Sequence, residues 1–397
     1  MKSSIGYFLV WLLLVTSALG ACAPGADDDD DSADDDEVID DDAMADDDAD
    51  DDADDDGARP EPVGAVSAEL PELWLTGITY ESDAWVGFFV HFQNGRWTYV
   101  EPPVPMNYLD ALSVRDADHG LAADYNHLLR YDGEQWSVDE TLPTTWGDLW
   151  IYQVLSTAEE DWVFAANDDD LLIWLRWRNG EWTGGLFPGA GTHRGFDTVN
   201  EIGGDVRVAV WDSDYLADSI WRFDRAADTW VIEHPVSIAI ADLAFGGPDT
   251  GVALGAEIDP PLWYNALLRY DQTGWHASEE FPDMGGFRSA AYRDADHLAV
   301  VTAQYNYSGY LFQGTEWWER TGSLWSQTAF LEGVAIEQIR AQDERSIWAV
   351  GNEVIDGADT GEGAVYRWDD TGFHRHFVSG VPYDAYLFTN VGIIPPN

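Results

Sequence analysis

Carboxylates and aromatic rings crowd four stretches of the chain, and their spacing limits what they could do. The stretches are Asp168-Asp169-Asp170, the run from Asp212 to Asp218, residues 257–264, and residues 353–362. In the second, Asp212, Asp214 and Asp218 bring oxygen ligands close together, a donor set that suits Ca²⁺, although the Gly and terminal Glu of a calcium loop are missing. The third holds Asp259, Trp263 and Tyr264, and the fourth holds Asp356, Asp359 and Glu362. Ring faces stack on sugars or attract cations, and carboxylates bond hydroxyls or pair with charge. Together with Asp168 and Asp170, these residues are candidate ligand contacts for a glycan, a cationic group or a protein partner. Paired carboxylates could also hydrolyse a glycosidic bond, but with 75 Asp and Glu in the chain a pair alone proves nothing. The remaining alternative is that these stretches are solvated surface.

Other chemistry is sparse. His374 and His376 alternate along a strand and would share a face, yet two ligands without a third make no transition-metal site. No phosphate-cradling Gly-rich loop, no Gly-x-Ser-x-Gly elbow and no Cys–His pairing occurs. No catalytic residue can be named from the sequence.

The elements that must position these residues form a repeat. Seven times over residues 83–373 an acidic turn is followed by an apolar strand, a variable loop, a second strand, a turn and an aromatic. Leu128-Leu129-Arg130-Tyr131-Asp132-Gly133-Glu134-Gln135-Trp136 is the plainest copy, and Val365 to Phe373 repeats it. The closing aromatics are read as Trp97, Trp136, Trp182, Trp230, Trp275, Trp317 and Phe373. A period of 40–50 residues with four strands per unit predicts an all-β fold, a β-propeller of seven four-stranded blades, with six or eight as the alternatives. Asn94-Gly95, Asp132-Gly133 and Asn179-Gly180 suit tight hairpins between third and fourth strands. Arg130, Arg176, Arg222, Arg269 and Arg367 recur at one third-strand position. Five copies imply a structural ladder, each Arg pairing with an acidic turn of its own or the next blade. The strand Tyr386–Ile394 is surplus and should clasp the ring, while Leu73–Tyr80 reads as a first inner strand. The variable second-to-third-strand loop is where the candidate contacts fall, and the strands are expected to change little in length.

The acid is unevenly placed. Residues 27–56 hold 21 carboxylates and no base, which leaves 54 of the 75 acids against 19 Lys and Arg elsewhere. Such a surface repels phosphate, so nucleic acid is a poor partner. The only Lys is Lys2; a Lys-poor, Asp-rich domain fits a salty medium, and compositional drift explains it equally well. Residues 22–70 cannot bury a core and are expected to be a disordered linker or stalk. Fully extended, they would span roughly 150 Å.

Lys2, the apolar run Tyr7–Val15 and the small residues before Cys22 read as an export signal over residues 1–21, too short for a committed membrane span. Leu19-Gly20-Ala21-Cys22 resembles the lipobox of bacterial lipoproteins. That resemblance implies cleavage before Cys22, acyl chains on this residue as the membrane anchor, and, with Ala23 next, delivery to the outer membrane of the cell envelope. Cys22 is the only cysteine, so no internal disulfide can form. The repeats over 71–397 resemble the sialidase-like and regulator-propeller type of bacterial surface and sensor proteins, though the Ser-x-Asp-x-Gly-x-x-Trp box is not matched. The combined expectation is a lipid-anchored recognition scaffold that works through its acidic, aromatic loop face, without a required cofactor unless Ca²⁺ binds. The alternative is a glycan-cleaving propeller enzyme. Replacing the acylated thiol should release the protein: Cys22→Ala is expected to move from the membrane to the soluble fraction on cell fractionation. Retention in the membrane fraction would refute the anchor.

Overall fold

The computed structural model describes residues 70–394 except 82–83, 190–192, 213–217, 237, 260–261, 279–280, 283, 307–310, 356–357 and 383–385. Met1–Ala68 and Glu69–Asn397 are separate units, and the described residues belong to the second. The predicted signal, Cys22 and nearly all of the linker therefore lie outside the described residues.

The second unit is a seven-bladed β-propeller of four-stranded antiparallel sheets. Blade 2 comprises β4 (Ala111–Asp116), β5 (His119–Ala123), β6 (Leu128–Tyr131) and β7 (Trp136–Val138) from axis to rim. Blade 3 comprises β8 (Leu149–Ser156), β9 (Asp161–Asn167), β10 (Leu172–Arg178) and β11 (Glu181–Leu186). Blades 4 to 7 repeat the order with inner strands β12 (His193–Ile202), β16 (Ile238–Gly247), β20 (Gly286–Tyr292) and β24 (Val334–Asp343). Blade 1 is assembled from both ends of the described chain. Its inner strand is β28 (Leu387–Ile394), which pairs with β1 (Glu72–Glu81), followed by β2 (Ala84–Gln93) and β3 (Arg96–Val100). The surplus strand thus clasps the ring as the sequence implies. It displaces Leu73–Tyr80 to second place, because β28 already occupies the position at the axis. The short interval from Asp83 to Trp97 has the same origin: one strand and one turn fill it.

Each sheet has two apolar faces, and each is buried against a neighbouring blade. Seven hydrophobic clusters result, one per blade junction. Trp136 packs across the first junction on Trp74 at 5.5 Å and on Phe89 at 4.7 Å between ring centroids. Two of the three expected tight hairpins form, with Asn94 at φ 53° and Gly95 at φ 77°, and Asn179 at φ 54° and Gly180 at φ 84°, whereas Asp132-Gly133 lies in a four-residue loop between Tyr131 and Trp136.

The repeated arginine is a ladder in part. Arg130 crosses to Asp161 of blade 3, donates to Asp139 at 3.0 Å, and lies 5.5 Å from the Trp177 ring. Arg176 reaches Asp228 of blade 4 at 2.8 Å and lies 5.1 Å from Phe223. Trp177 and Phe223 each follow a repeated arginine on a third strand, so one ring position receives the cation from the preceding blade. Arg207 on Tyr270 and Arg293 on Trp368 complete the same contact at two further junctions, although Arg207 comes from a second strand and Arg293 from the turn after an inner one. Blade 6 departs from the repeat. Trp317 lies within its third strand, β22 (Leu311–Thr321), and the fourth strand, β23 (Leu324–Glu332), carries Trp325 instead. A register shift between Trp317 and Trp318 turns Trp317 toward Trp368 and Phe373 of blade 7, where it is fully buried.

The inner strands hold a second repeat. In β8, β12, β16, β20, β24 and β28 the register with the second strand slips by one residue, at Tyr152, Asp197, Ala241, Arg288, Glu337 and Thr389. Each slip is a β-bulge, which kinks the strand and re-aims a side chain. The next residue ties the strand to a neighbour. Gln153 donates to the Asp197 carbonyl at 2.8 Å, Thr198 pairs with Asp242, and Ser289 donates to Asp242 at 2.7 Å. Ile339 N donates to Ser289 at 3.2 Å, Gln338 bonds Asn390 at 2.7 Å, and Asn390 donates to the Asp110 carbonyl. Ser156 N and Ser113 close the circle at 2.9 Å, so side chains link all seven inner strands. Gly255 and Gly351 stand opposite two of the bulges. A Cβ there would lie 2.1 Å from the Ala239 carbonyl oxygen and 1.8 Å from that of Ala335.

Asp242 is the most committed member of this circle. Its buried carboxylate accepts from Leu243 N at 2.8 Å, Ser289 Oγ at 2.7 Å and Ala290 N at 3.0 Å. Asp242→Ala leaves those donors dry and should cost roughly 3 kcal/mol of stability. Chemical denaturation measures this, and a loss below about 1 kcal/mol would refute the role.

Candidate functional site

The bulges place a ring of side chains about the axis, near the start of each inner strand. Asp110 completes the ring in blade 2: buried Leu109 and part-buried Leu112 flank it at the spacing at which Ile151 and Val154 flank Tyr152. The seven positions are then Asp110, Tyr152, Asp197, Ala241, Arg288, Glu337 and Thr389. Ala241 is exposed between two buried neighbours on an innermost strand, which marks the axis as open at that level. Arg288 Nη1 stands 4.0 Å from Glu337, and its Nη2 donates to Tyr305 Oη at 2.9 Å. Three carboxylates against one guanidinium leave the ring negative.

Asp110 is the unusual member. Protein surrounds it, yet its surface stays open to the channel. That enclosure pushes its carboxyl up to about 6, and repulsion from Glu337 adds to the effect. Enclosure also pushes the phenols of Tyr108 and Tyr125 well up, with the Asp110 charge second in both. Tyr152 rises to about 12 by burial, helped by the charge of Asp170.

An aromatic strip runs from this ring across the face that carries the second-to-third-strand turns. Tyr80 and Trp85 meet edge-on at the tip of blade 1, at 5.2 Å. Trp85 meets Tyr108 at 5.9 Å, Tyr108 stacks on Tyr125 at 5.9 Å, and Tyr125 meets Trp150 at 5.3 Å. The strip therefore crosses blades 1, 2 and 3. Its ends are open, with Tyr80 57 % and Trp150 48 % exposed, while its middle is part-buried. The supports are local. Gly87 N donates to the Met106 carbonyl at 2.8 Å and Ile151 N to the Tyr125 carbonyl at 3.0 Å, which pins the connection carrying Tyr108 and ties the hairpin of Tyr125 to the strand of Trp150.

Strand length sets the outline of this face. Second strands are five residues in blade 2 and seven in blade 3, but ten in β17 (Thr250–Asp259), β21 (His297–Asn306) and β25 (Ser346–Ile355). Five extra residues raise a hairpin by about 17 Å at the usual strand rise. The expected constancy of the strands is thus corrected: β17 pairs with β18 (Leu262–Asp271) out to Asp259↔Leu262, and β25 pairs with β26 (Ala358–Asp369) out to Ile355↔Ala358. What reads as variable loop is paired strand. The rim is low at blades 2 and 3, beside the strip.

The sequence candidates scatter around this rim. Asp168 and Asp170 are exposed in the turn of blade 3, which Asn167 holds by accepting from Asp169 N at 3.1 Å and Leu171 N at 2.9 Å. Asp170 takes φ 58° and joins the site through its field on Tyr152. Glu362 is exposed on β26, and its charge reaches Tyr386. Asp212 and Asp218 end β13 (Asp205–Asp212) and begin β14 (Asp218–Asp224), and Asp259, Trp263, Tyr264 and Asp359 sit on paired strands. Their side chains, and all of Asp214 and Asp356, lie outside the described residues, as does any Ca²⁺ set formed by Asp212, Asp214 and Asp218. Among the described residues no three metal-ligating side chains converge. His374 is tied to Asp369 at 3.2 Å, while burial drives His376 down to about 4.

The axial ring escaped the sequence reading, but a signal for it exists. Ile151-x-x-Val154, Phe196-x-x-Val199, Ile240-x-x-Leu243, Phe287-x-x-Ala290, Ile336-x-x-Ile339 and Phe388-x-x-Val391 each break strand alternation with two residues between apolar ones, the second of them polar. The raised Asp110 carboxyl gives a test. A carboxyl lifted from 3.8 to about 6 in the folded state penalises folding as pH rises through that window, and the penalty persists above it. Wild type should therefore lose thermal stability relative to Asp110→Asn between about pH 4 and pH 6.5, with a constant offset at higher pH. A difference independent of pH would refute the shift.

No protein-family model and no curated protein matches the sequence. A puromycin-hydrolysing peptidase of Mycobacterium tuberculosis is similar in structure, 11 % identical with a TM-score of 0.51, covering 78 % of this chain and 54 % of that one. A puromycin hydrolase is 13 % identical with a TM-score of 0.57, covering 80 % and 54 % respectively. The chain thus spans about half the length of these two enzymes. The β-propeller domain of the Trilobed protease from Pyrococcus furiosus, described as having an open velcro topology, is 9 % identical with a TM-score of 0.54, covering 77 % of this chain and 92 % of that one. At such identities the likeness is one of fold, and it places this chain among β-propellers.

Proposed function

We propose that the protein is a lipid-anchored recognition propeller of the bacterial cell envelope that holds a carbohydrate chain on its turn face. The observation that carries this reading is the strip Tyr80–Trp85–Tyr108–Tyr125–Trp150, whose rings follow one another at 5.2–5.9 Å and end in exposed faces. Pyranose rings present apolar faces that stack on such aromatics, and their hydroxyls suit flanking carboxylates and phenols. A strip of several rings fits a chain of sugars better than a single one. Cys22 supports the anchor, and the Asp-rich segment 22–70 supports a stalk that keeps the propeller off the lipid.

A second reading, cleavage of the bound glycan, has one observation in its favour. Asp110, with its raised carboxyl, feels the charge of Glu337 within the axial ring, and a protonated acid near an ionised carboxylate is the pair that glycoside hydrolysis needs. One experiment addresses both readings. The protein is incubated with a glycan array and with soluble oligosaccharides that are then assayed for new reducing ends. Recognition predicts binding without sugar release, weakened about tenfold by Trp150→Ala or Tyr80→Ala, as expected for losing about 1.4 kcal/mol of ring stacking. Release that Asp110→Asn abolishes would establish cleavage instead. Binding untouched by both ring substitutions would remove the strip from the site.

A further inference from the structure

Carboxylates border the strip where it crosses blades 2 and 3. Asp148 is exposed two residues before Trp150, and Asp168 and Asp170 are exposed in the adjoining turn of blade 3. Asp110 lies where its charge is felt by both Tyr108 and Tyr125, the stacked pair at the middle of the strip. Beyond it Glu337 bears on the same carboxylate. The nearest guanidinium in the ring, Arg288, is engaged by Glu337 and Tyr305. Two like charges that repel each other about the axis are relieved by a cation, and phenol ring faces attract the same charge. A neutral sugar would leave that repulsion in place, and an acidic one would increase it.

We infer that the ligand is a cationic glycan, a chain of amine-bearing sugars whose rings lie on the strip and one of whose ammonium groups enters the axial mouth against Asp110. This rests on the carbohydrate-binding reading above and specifies its chemistry. The low rim at blades 2 and 3 leaves the way in open, and the position of Asp110 puts the charge beside the Tyr108–Tyr125 pair at the middle of the strip. Specificity then follows from acetylation. An N-acetyl group removes the positive charge and adds bulk, so the acetylated twin of the same chain loses the contact with Asp110 and keeps only the stacking.

The test uses the full-length protein and two probes of equal length, a β-1,4-linked glucosamine tetramer and its fully N-acetylated twin, titrated calorimetrically at about pH 6. The amine tetramer is expected to bind at least tenfold more tightly. That advantage should shrink as salt rises and should vanish in Asp110→Asn, whose fold is checked by its thermal transition. Segment 27–56 serves as an internal control, because amine binding to that acidic tract survives the Asp110→Asn change. An unchanged preference in the variant therefore overturns the assignment to the axial mouth. Equal affinity for both tetramers overturns the cationic specificity and leaves carbohydrate recognition standing. Failure of both tetramers and of every neutral glycan overturns the two readings together.

Discussion

A four-stranded blade has two apolar faces and cannot bury either by itself; everything else in this protein follows from that constraint. The faces are covered only if each blade packs between two others, and the covering is complete only if the last blade meets the first. Seven apolar clusters, one per junction, show the requirement met. The hydrogen-bonded pairing of β28 with β1 closes the ring, because it makes blade 1 from segments that are far apart in sequence. Guanidinium groups on third-strand rings then fasten four of the junctions from the outer side.

The regular part of this architecture could be read without coordinates. Six of the seven closing aromatics and the Asn-Gly hairpins express local rules, alternation and turn chemistry, that each blade obeys alone. Errors arose where a rule is broken inside one unit. In blade 6 a single register shift sends Trp317 to the neighbouring blade and leaves Trp325 on the outer strand. In blade 1 the inner strand is supplied from residues 387–394, which no local pattern near residue 73 reveals.

The candidate site was less legible, and the reason is geometric. Its aromatic strip takes Tyr80 and Trp85 from one hairpin, Tyr108 from a connection between blades, Tyr125 from another hairpin and Trp150 from the start of an inner strand. No spacing in the sequence joins these five. The acidic clusters that do stand out, such as Asp168 and Asp170, lie at the border of the strip. The ring about the axis is an intermediate case. Its residues differ in type from blade to blade, from Asp110 to Ala241 to Arg288, but each occupies the same break in the strand pattern. Sameness of position builds the ring, and difference of residue gives it an electrostatic direction.

The circle of side-chain hydrogen bonds around the inner strands bears on how such a molecule comes apart. In a linear array of repeats the terminal units have one neighbour and fray first, so loss of structure can begin at either end and travel inward. A closed circle offers no such starting place, since every inner strand is tied on both sides. The first strand to leave must break two junctions at once, after which the remaining six become an open arc with two exposed ends. The first event is therefore the hardest and each later one easier, which is the condition for a sharp, cooperative transition. A protein held together by packing without internal disulfides would owe its persistence to that first, doubly tied step.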